Sequence, residues 1–488
     1  RPLAAAQGGV APRAPQEARP VYRPFVLAAL AFALTMGFAG GTALFLAPLL
    51  GLPAGLWWVT HAQAHGVAQL FGWAGLFTMG VAYHIVPRLA RARPAFPRLA
   101  VPSLALVAAG VVLRQLTQGL SHTPWGAALL VVSGVLLLLG VAAFALGTAG
   151  TLARGAGRRE PFVPWLLAGT AWAVVAAALH LALVVQMARS GTRVADPSLD
   201  LAFVHAALFG FLLSFALGVS LRILPPFLGL PPPRRGLVVA ALVAFNAGVA
   251  WVVAGALAGA PATWWAWGLA LQSAALAAAP VGLRVLERRA TPREEAPGAY
   301  SRYALYVRTA YAWLLAAAGL GAYVALDALG WRAPLTVPLS LARHVVALGV
   351  VTMLILGLGA RILPIFEGAR LQGPRLMDAA YGLLNLSVLL RLAGTLAPLP
   401  HSGVVLALSG MAGLAAIALF AWVVGRTLRS SGVASPRLSH PDAGAAPRER
   451  EAPPHVPPAP AHPGLLSGGV ASARAGGELP GRPLRLLP

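Results

Sequence analysis

Residues 205–227 (HAALFGFLLSFALGVSLRILPPF) and residues 344–366 (HVVALGVVTMLILGLGARILPIF) are written in one frame. The first places His205, Gly210, Gly218, Arg222, Pro225 and Phe227; the second places His344, Gly349, Gly357, Arg361, Pro364 and Phe366 at the same intervals. A third copy keeps the frame as Gly72, Gly80, His84 and Pro87, with Val67 where the others have His. Pro87 to Pro225 is 138 residues and Pro225 to Pro364 is 139. One Gly pair recurs by chance, but a whole frame at two nearly equal offsets marks an internal repeat, which decides the fold before any local motif does.

The rest of the chain fits around these copies. Hydrophobic residues make up 58% of it and charged residues only 10%, against about 25% charged in a soluble domain. The apolar residues fall in twelve segments, approximately 24–47, 56–87, 98–118, 126–152, 163–187, 200–225, 236–258, 264–286, 303–327, 338–364, 377–398 and 402–425. About 20 such residues cross a bilayer as a helix. The 14 acidic residues all lie in termini, connections or the end turns of these segments. The expectation is an all-α polytopic membrane domain over 23–430, with twelve helices as three pseudo-symmetric four-helix repeats (24–152, 163–286 and 303–425). Residues 1–22 and the Pro-rich stretch 431–488, with its 12 Pro, read as disordered cytoplasmic flanks. His440, His455 and His462 lie in that tail without a scaffold and are discounted as ligands.

The net charge of +23 is carried by Arg alone, because the sequence has no Lys. No soluble domain is large enough to present a basic groove to nucleic acid, so the Arg residues read as markers of cytoplasmic loops. Those after the even-numbered segments include Arg91, Arg93, Arg154, Arg158, Arg234, Arg235, Arg288, Arg289 and Arg370; the opposite side has little beyond Arg189, Arg193 and Arg332. Both termini are therefore expected in the cytoplasm of a bacterial-type inner membrane. Trp57, Trp58, Trp125, Trp264, Trp265 and Trp331 form an outer aromatic belt. The absence of Cys excludes disulfides, iron–sulfur clusters and covalently attached haem.

Orientation converts spacing into depth. At 1.5 Å per residue, His61, His205 and His344 lie roughly 8–9 Å below the outer boundary, His65 roughly 14 Å and His180 roughly 10 Å. Polar groups inside spans are costly, and imidazole ligates haem iron and copper. His61 and His65 are one turn apart on one face. Gly66, Gly72 and Gly75 would keep the surface of their helix shallow enough for a flat macrocycle. Arg114, Arg343 and Arg391 sit in the outer halves of their segments, where they either snorkel to headgroups or pair with carboxylates such as haem propionates; Arg343, beside His344, is the foremost candidate. His84 and the Arg-Ile-Leu-Pro pattern read as a polar anchor followed by a helix stop at the Pro. His122 and His401 fall in outer connections.

Three four-helix arcs are also the plan of subunit I of the haem-copper oxidases and nitric oxide reductases. Residues 61–89 (HAQAHGVAQLFGWAGLFTMGVAYHIVPRL), with the two stretches quoted first, resemble the His-containing helices of the NnrS family, over roughly residues 24–425. That resemblance implies a twelve-span haem- and copper-containing membrane protein linked to nitric oxide. It places haem and copper on His61, His65, His205 and His344, with His180 as a further candidate. It departs from oxidase subunit I in segment seven, which has no His, and in segment ten, which has one.

The resulting expectation is a haem b held by His344 and His65, and a second metal or haem near His205 with His61 or His180 in reach. Two classes of function stay open. One is a haem protein that binds or turns over nitric oxide or passes electrons from a donor; the other is a non-catalytic carrier of haem or metal. With no acidic residue deep in the spans to relay protons, proton-pumping oxygen reduction is not expected.

Overall fold

The computed structural model describes residues 20–287, 300–331, 336–397 and 401–430. The expected disorder of the two flanks, the three tail histidines, and Arg288, Arg289, Arg293 and Arg332 fall outside these residues. Among the described residues there are twelve membrane-length helices and no strand. They are α1 (Tyr22–Leu49), α2 (Leu56–Ala90), α3 (Pro97–Leu120), α4 (Pro124–Arg154), α5 (Phe162–Ser190) and α6 (Pro197–Leu228). After them come α7 (Arg235–Leu257), α8 (Ala262–Leu283), α9 (Tyr303–Ala328), α10 (Leu339–Glu367), α11 (Pro374–Leu396) and α12 (Ser402–Ser430).

The packing obeys the repeat. The third and fourth helices of each unit form a close pair: α3 with α4, α7 with α8, α11 with α12. The fourth then packs on the first helix of the next unit, as α4 on α5 and α8 on α9, and α12 closes the ring on α1. The second helices, α2, α6 and α10, lie innermost. Their apolar windows are 78%, 83% and 83% buried, against 28–61% for the others.

The glycine frame explains this nesting. A Cβ on Gly210 would lie 2.6 Å from the Trp172 ring, one on Gly349 2.7 Å from Trp313, and one on Gly72 2.9 Å from Phe32. Gly80, Gly218 and Gly357 abut Phe25, Trp165 and Tyr306 in the same way. Each aromatic residue stands on the first helix of its unit, so the frame seats the second helix against the first, as small residues do where membrane helices approach closely. Trp172 and Trp313 are fixed in turn, each donating its ring N–H to Asn246 or Asn385 at 2.9 Å. The expected macrocycle-facing surface at Gly72 and Gly75 is therefore not available: Phe32 fills the first, and the Leu70 carbonyl stands 2.7 Å from a Cβ on the second. Gly66 alone of the three is open.

Two features lay beyond the sequence pattern. Each innermost helix contains an eight-residue π segment: Ala68–Gly75, Ala206–Leu213 and Val345–Thr352. Each starts one residue after the frame's first position, Val67, His205 or His344. Such widened turns recur at functional sites. The second feature corrects the helix stop. Pro87, Pro225 and Pro364 lie inside their helices, which end four residues later at left-handed Arg91 (φ 54°), Gly229 (φ 65°) and Gly368 (φ 60°). The N–H of the next residue then bonds back to the Pro carbonyl at 2.9, 2.9 and 3.0 Å. This is the Schellman cap, in which the proline contributes the acceptor rather than the break.

Along the axis, equivalent residues of the three copies meet in layers. Ala74, Leu212 and Val351 form one ring, and Phe77, Phe215 and Leu354 the next. Val81, Val219 and Leu358 follow, then Ile85, Ile223 and Ile362. Steps of three, four and four residues keep one face of each innermost helix turned to the axis.

Candidate functional site

Just beyond the Ala74–Leu212–Val351 ring, a cavity of about 220 Å³ opens between α2, α6 and α10. His65 and His344 both line it, together with Gln69, Arg343 and Thr352. A smaller neighbouring cavity of about 50 Å³ is lined by the same two histidines with Arg391, Ser387 and Phe45. Two imidazoles from different repeats thus share one space.

Their orientation follows from their partners. His65 Nδ1 is 3.4 Å from the Met36 carbonyl, which lies in a short π segment of α1, Ala33–Gly37. His344 Nδ1 is 2.7 Å from the Ser340 carbonyl one turn earlier. A carbonyl only accepts, so each Nδ1 carries the proton and each Nε2 keeps its lone pair. That is the tautomer a metal-ligating histidine needs. α1 presses His65 into place at a glycine: a Cβ on Gly41 would lie 2.7 Å from His65 Cε1.

Arginines border both cavities. Nε and Nη2 of Arg343 and Nε of Arg391 have no hydrogen-bond partner among the described residues. The Arg391 guanidinium lies over the Phe45 ring at 4.9 Å. Unpartnered guanidinium nitrogens beside a mostly apolar space suit the carboxylates of a bound group. Arg114 faces away, with Nη1 3.8 Å from Met187 Sδ. Asp200 stands within electrostatic reach of both Arg114 and Arg343; in the sequence it reads only as an end-turn acid, five residues before His205.

The other histidines have separate surroundings. His61 Nε2 is 3.3 Å from the Gly40 carbonyl, and its ring lines a separate pocket with Trp57, Thr60 and Gln115. His205, fully buried, hydrogen-bonds Gln272 of α8 at 2.8 Å and stacks on Phe209. His180 is buried against Phe203 with neither ring nitrogen partnered among the described residues. His84 lies between the rings of Tyr22 and Phe366, at 4.8 and 4.0 Å. His122 takes the Arg193 guanidinium at 3.0 Å, which ties the α3–α4 and α5–α6 connections together. His401 starts α12 by accepting backbone bonds.

This arrangement separates two cofactors. Two imidazoles with free Nε2 lone pairs, a shared cavity and unpartnered arginines fit a haem. Copper is another matter, because His205 is engaged by Gln272 and neither His61 nor His180 joins it. Among the described residues no three His, Cys, Asp or Glu side chains gather as a metal site.

Known proteins agree with the architecture. A comparison with curated proteins finds no match. A heme-copper terminal oxidase dimer solved by cryo-electron microscopy superposes with a TM-score of 0.63 at 12% identity, covering 84% of each chain; identity that low shows likeness of fold. The family model described as Cytochrome C and Quinol oxidase polypeptide I matches residues 19–390. That match runs from before α1 into α11 and takes in all three innermost helices. With its twelve helices, threefold arcs and central histidines, the chain belongs to the cytochrome c and quinol oxidase polypeptide I family.

Proposed function

We propose that this protein is a membrane haem protein that holds one haem b between His65 and His344. The family in general binds haem and copper. The observation that carries the reading is the pair of imidazoles on one cavity, each with Nδ1 turned to a backbone carbonyl. When bound, the haem supplies one-electron chemistry and, where a ligand yields, a site for a diatomic gas. The protein's own part is to fix both rings through Met36 and Ser340, to set Arg343 and Arg391 against the propionates, and to exclude water with the apolar walls. Nitric oxide is the ligand we propose, on the likeness of residues 61–89, 205–227 and 344–366 to NnrS helices. The absence of a gathered three-ligand metal site among the described residues favours this over oxygen reduction.

The test is the absorption spectrum of protein purified under haem-replete conditions. Two histidine ligands give a low-spin Soret band and a sharp reduced α-band. His65→Ala and His344→Ala should each lose haem or turn it high-spin. Nitric oxide added to the reduced protein should shift the Soret band. No Soret absorption at all would sink the haem reading; an unmoved spectrum under nitric oxide would remove only the ligand.

A further inference from the structure

Below the histidine cavity the parallel seam of α2, α6 and α10 is hollow. A space of about 90 Å³ lies on the axis, lined by these three helices alone. Most of its walls are aliphatic or aromatic, and Thr78 contributes the single hydroxyl among the lining residues. The hollow exists because Ala82 and Ala216 stand where larger side chains would fill it.

Both ends are built from repeat-equivalent rings. At one end Ile85, Ile223 and Ile362 narrow the seam. Beside that ring, Arg361 is held over the Tyr303 and Phe227 rings at 5.3 and 5.9 Å, and Arg222 lies 3.5 Å from Glu160. A polar rim of this kind opposes entry of a lipid chain from that end. At the other end Leu212 and Val351 line this space and the histidine cavity alike, with Ala74 beside them in the latter. One ring of side chains separates the two.

We propose that this axial chamber is a binding site for small apolar gas molecules and opens onto the histidine cavity through the Ala74–Leu212–Val351 ring. Water needs two to four polar partners, which one hydroxyl does not provide, whereas apolar cavities of this order stay dry and take up xenon. Ions and polar organic ligands find no donor or acceptor set. The chamber is too small for a ring-bearing cofactor, and its lining comes from the three innermost helices alone. What fits is a diatomic such as nitric oxide or dioxygen. Its use in feeding a haem rests on the proposed function; its capacity to hold gas does not.

Xenon is the probe, and haem-free protein suffices. A xenon-pressurised structure of the full chain should place xenon between Phe215 and Leu354. Thr78→Val, which keeps the volume and removes the hydroxyl, should retain it. Ala216→Leu and Ala82→Leu, which fill the space from different helices, should each reduce chamber occupancy at least tenfold. Monodisperse elution and unchanged helicity check that each variant folds; if neither folds, the wild-type and Thr78→Val structures decide. No xenon in the wild type, undiminished xenon in both filled variants, or ordered water or an acyl chain in the chamber would each overturn the proposal. Xenon in the chamber of a protein that never binds haem would leave this proposal standing and remove the one before it.

Discussion

His65 faces His344 because α1 offers it glycine. With a Cβ 2.7 Å from the ring at Gly41, the imidazole must rotate or retreat, so Gly41→Ala should weaken haem retention although Gly41 is not itself a ligand. The measurement is the haem-to-protein ratio after washing, expected to fall severalfold, against an unchanged ratio for His84→Ala. Equal ratios for the two would show that α1 does not position His65. The histidines were legible in the sequence as candidates, because polar residues inside a span are conspicuous. Their partners were not. Gln272 reaches His205 from α8 across 67 positions, and Met36 meets His65 only because α1 widens there. Depth follows from counting along a helix, while the direction a ring faces depends on helices that spacing alone does not place.

At the scale of the helix, the three copies differ in one telling place. Two of the caps use glycine in the left-handed region and the first uses Arg91 (φ 54°). A non-glycine residue there costs about 1–2 kcal/mol, offset in part by the greater freedom of unfolded glycine. Arg91→Gly should therefore raise thermal stability slightly, and Gly368→Ala should lower it by about 1 kcal/mol. Thermal unfolding in detergent distinguishes these signs. Gly349→Ala, which drives a methyl into the Trp313 ring, should cost more, about 1–3 kcal/mol. The positions of the twelve helices were readable to within a few residues from apolar runs. The π segments were not, since one added residue in a turn has no composition of its own, and the proline was misread as a stop because its use as a cap acceptor depends on the residue four places later.

The described helices form a ring of three units closed by α12 on α1, and the expected orientation in the bilayer rests on the Arg-rich connections. Reporter fusions at Ala95 and Trp125 should lie on opposite sides of the membrane, with Ala95 cytoplasmic; the same compartment for both would overturn the orientation. The repeat made the ring legible, because equal offsets imply equal surroundings. It did not reveal the axial hollow, which depends on Ala82 being small and on Ala216 being smaller than its counterparts Thr78 and Ile355. The three π segments have a consequence of another kind. They act as phase joints across the middle of the innermost helices. Above them lie His61, His65 and Arg343, which differ from copy to copy, beside His205 and His344, which two copies share and the first replaces with Val67; below them lie the second glycine, isoleucine and proline positions, which are nearly the same in all three. A joint that absorbs rotation lets the upper tier exchange ligands while the lower tier keeps its packing. Such a molecule can change its chemistry by substitution in one tier and inherit its architecture unchanged through the other.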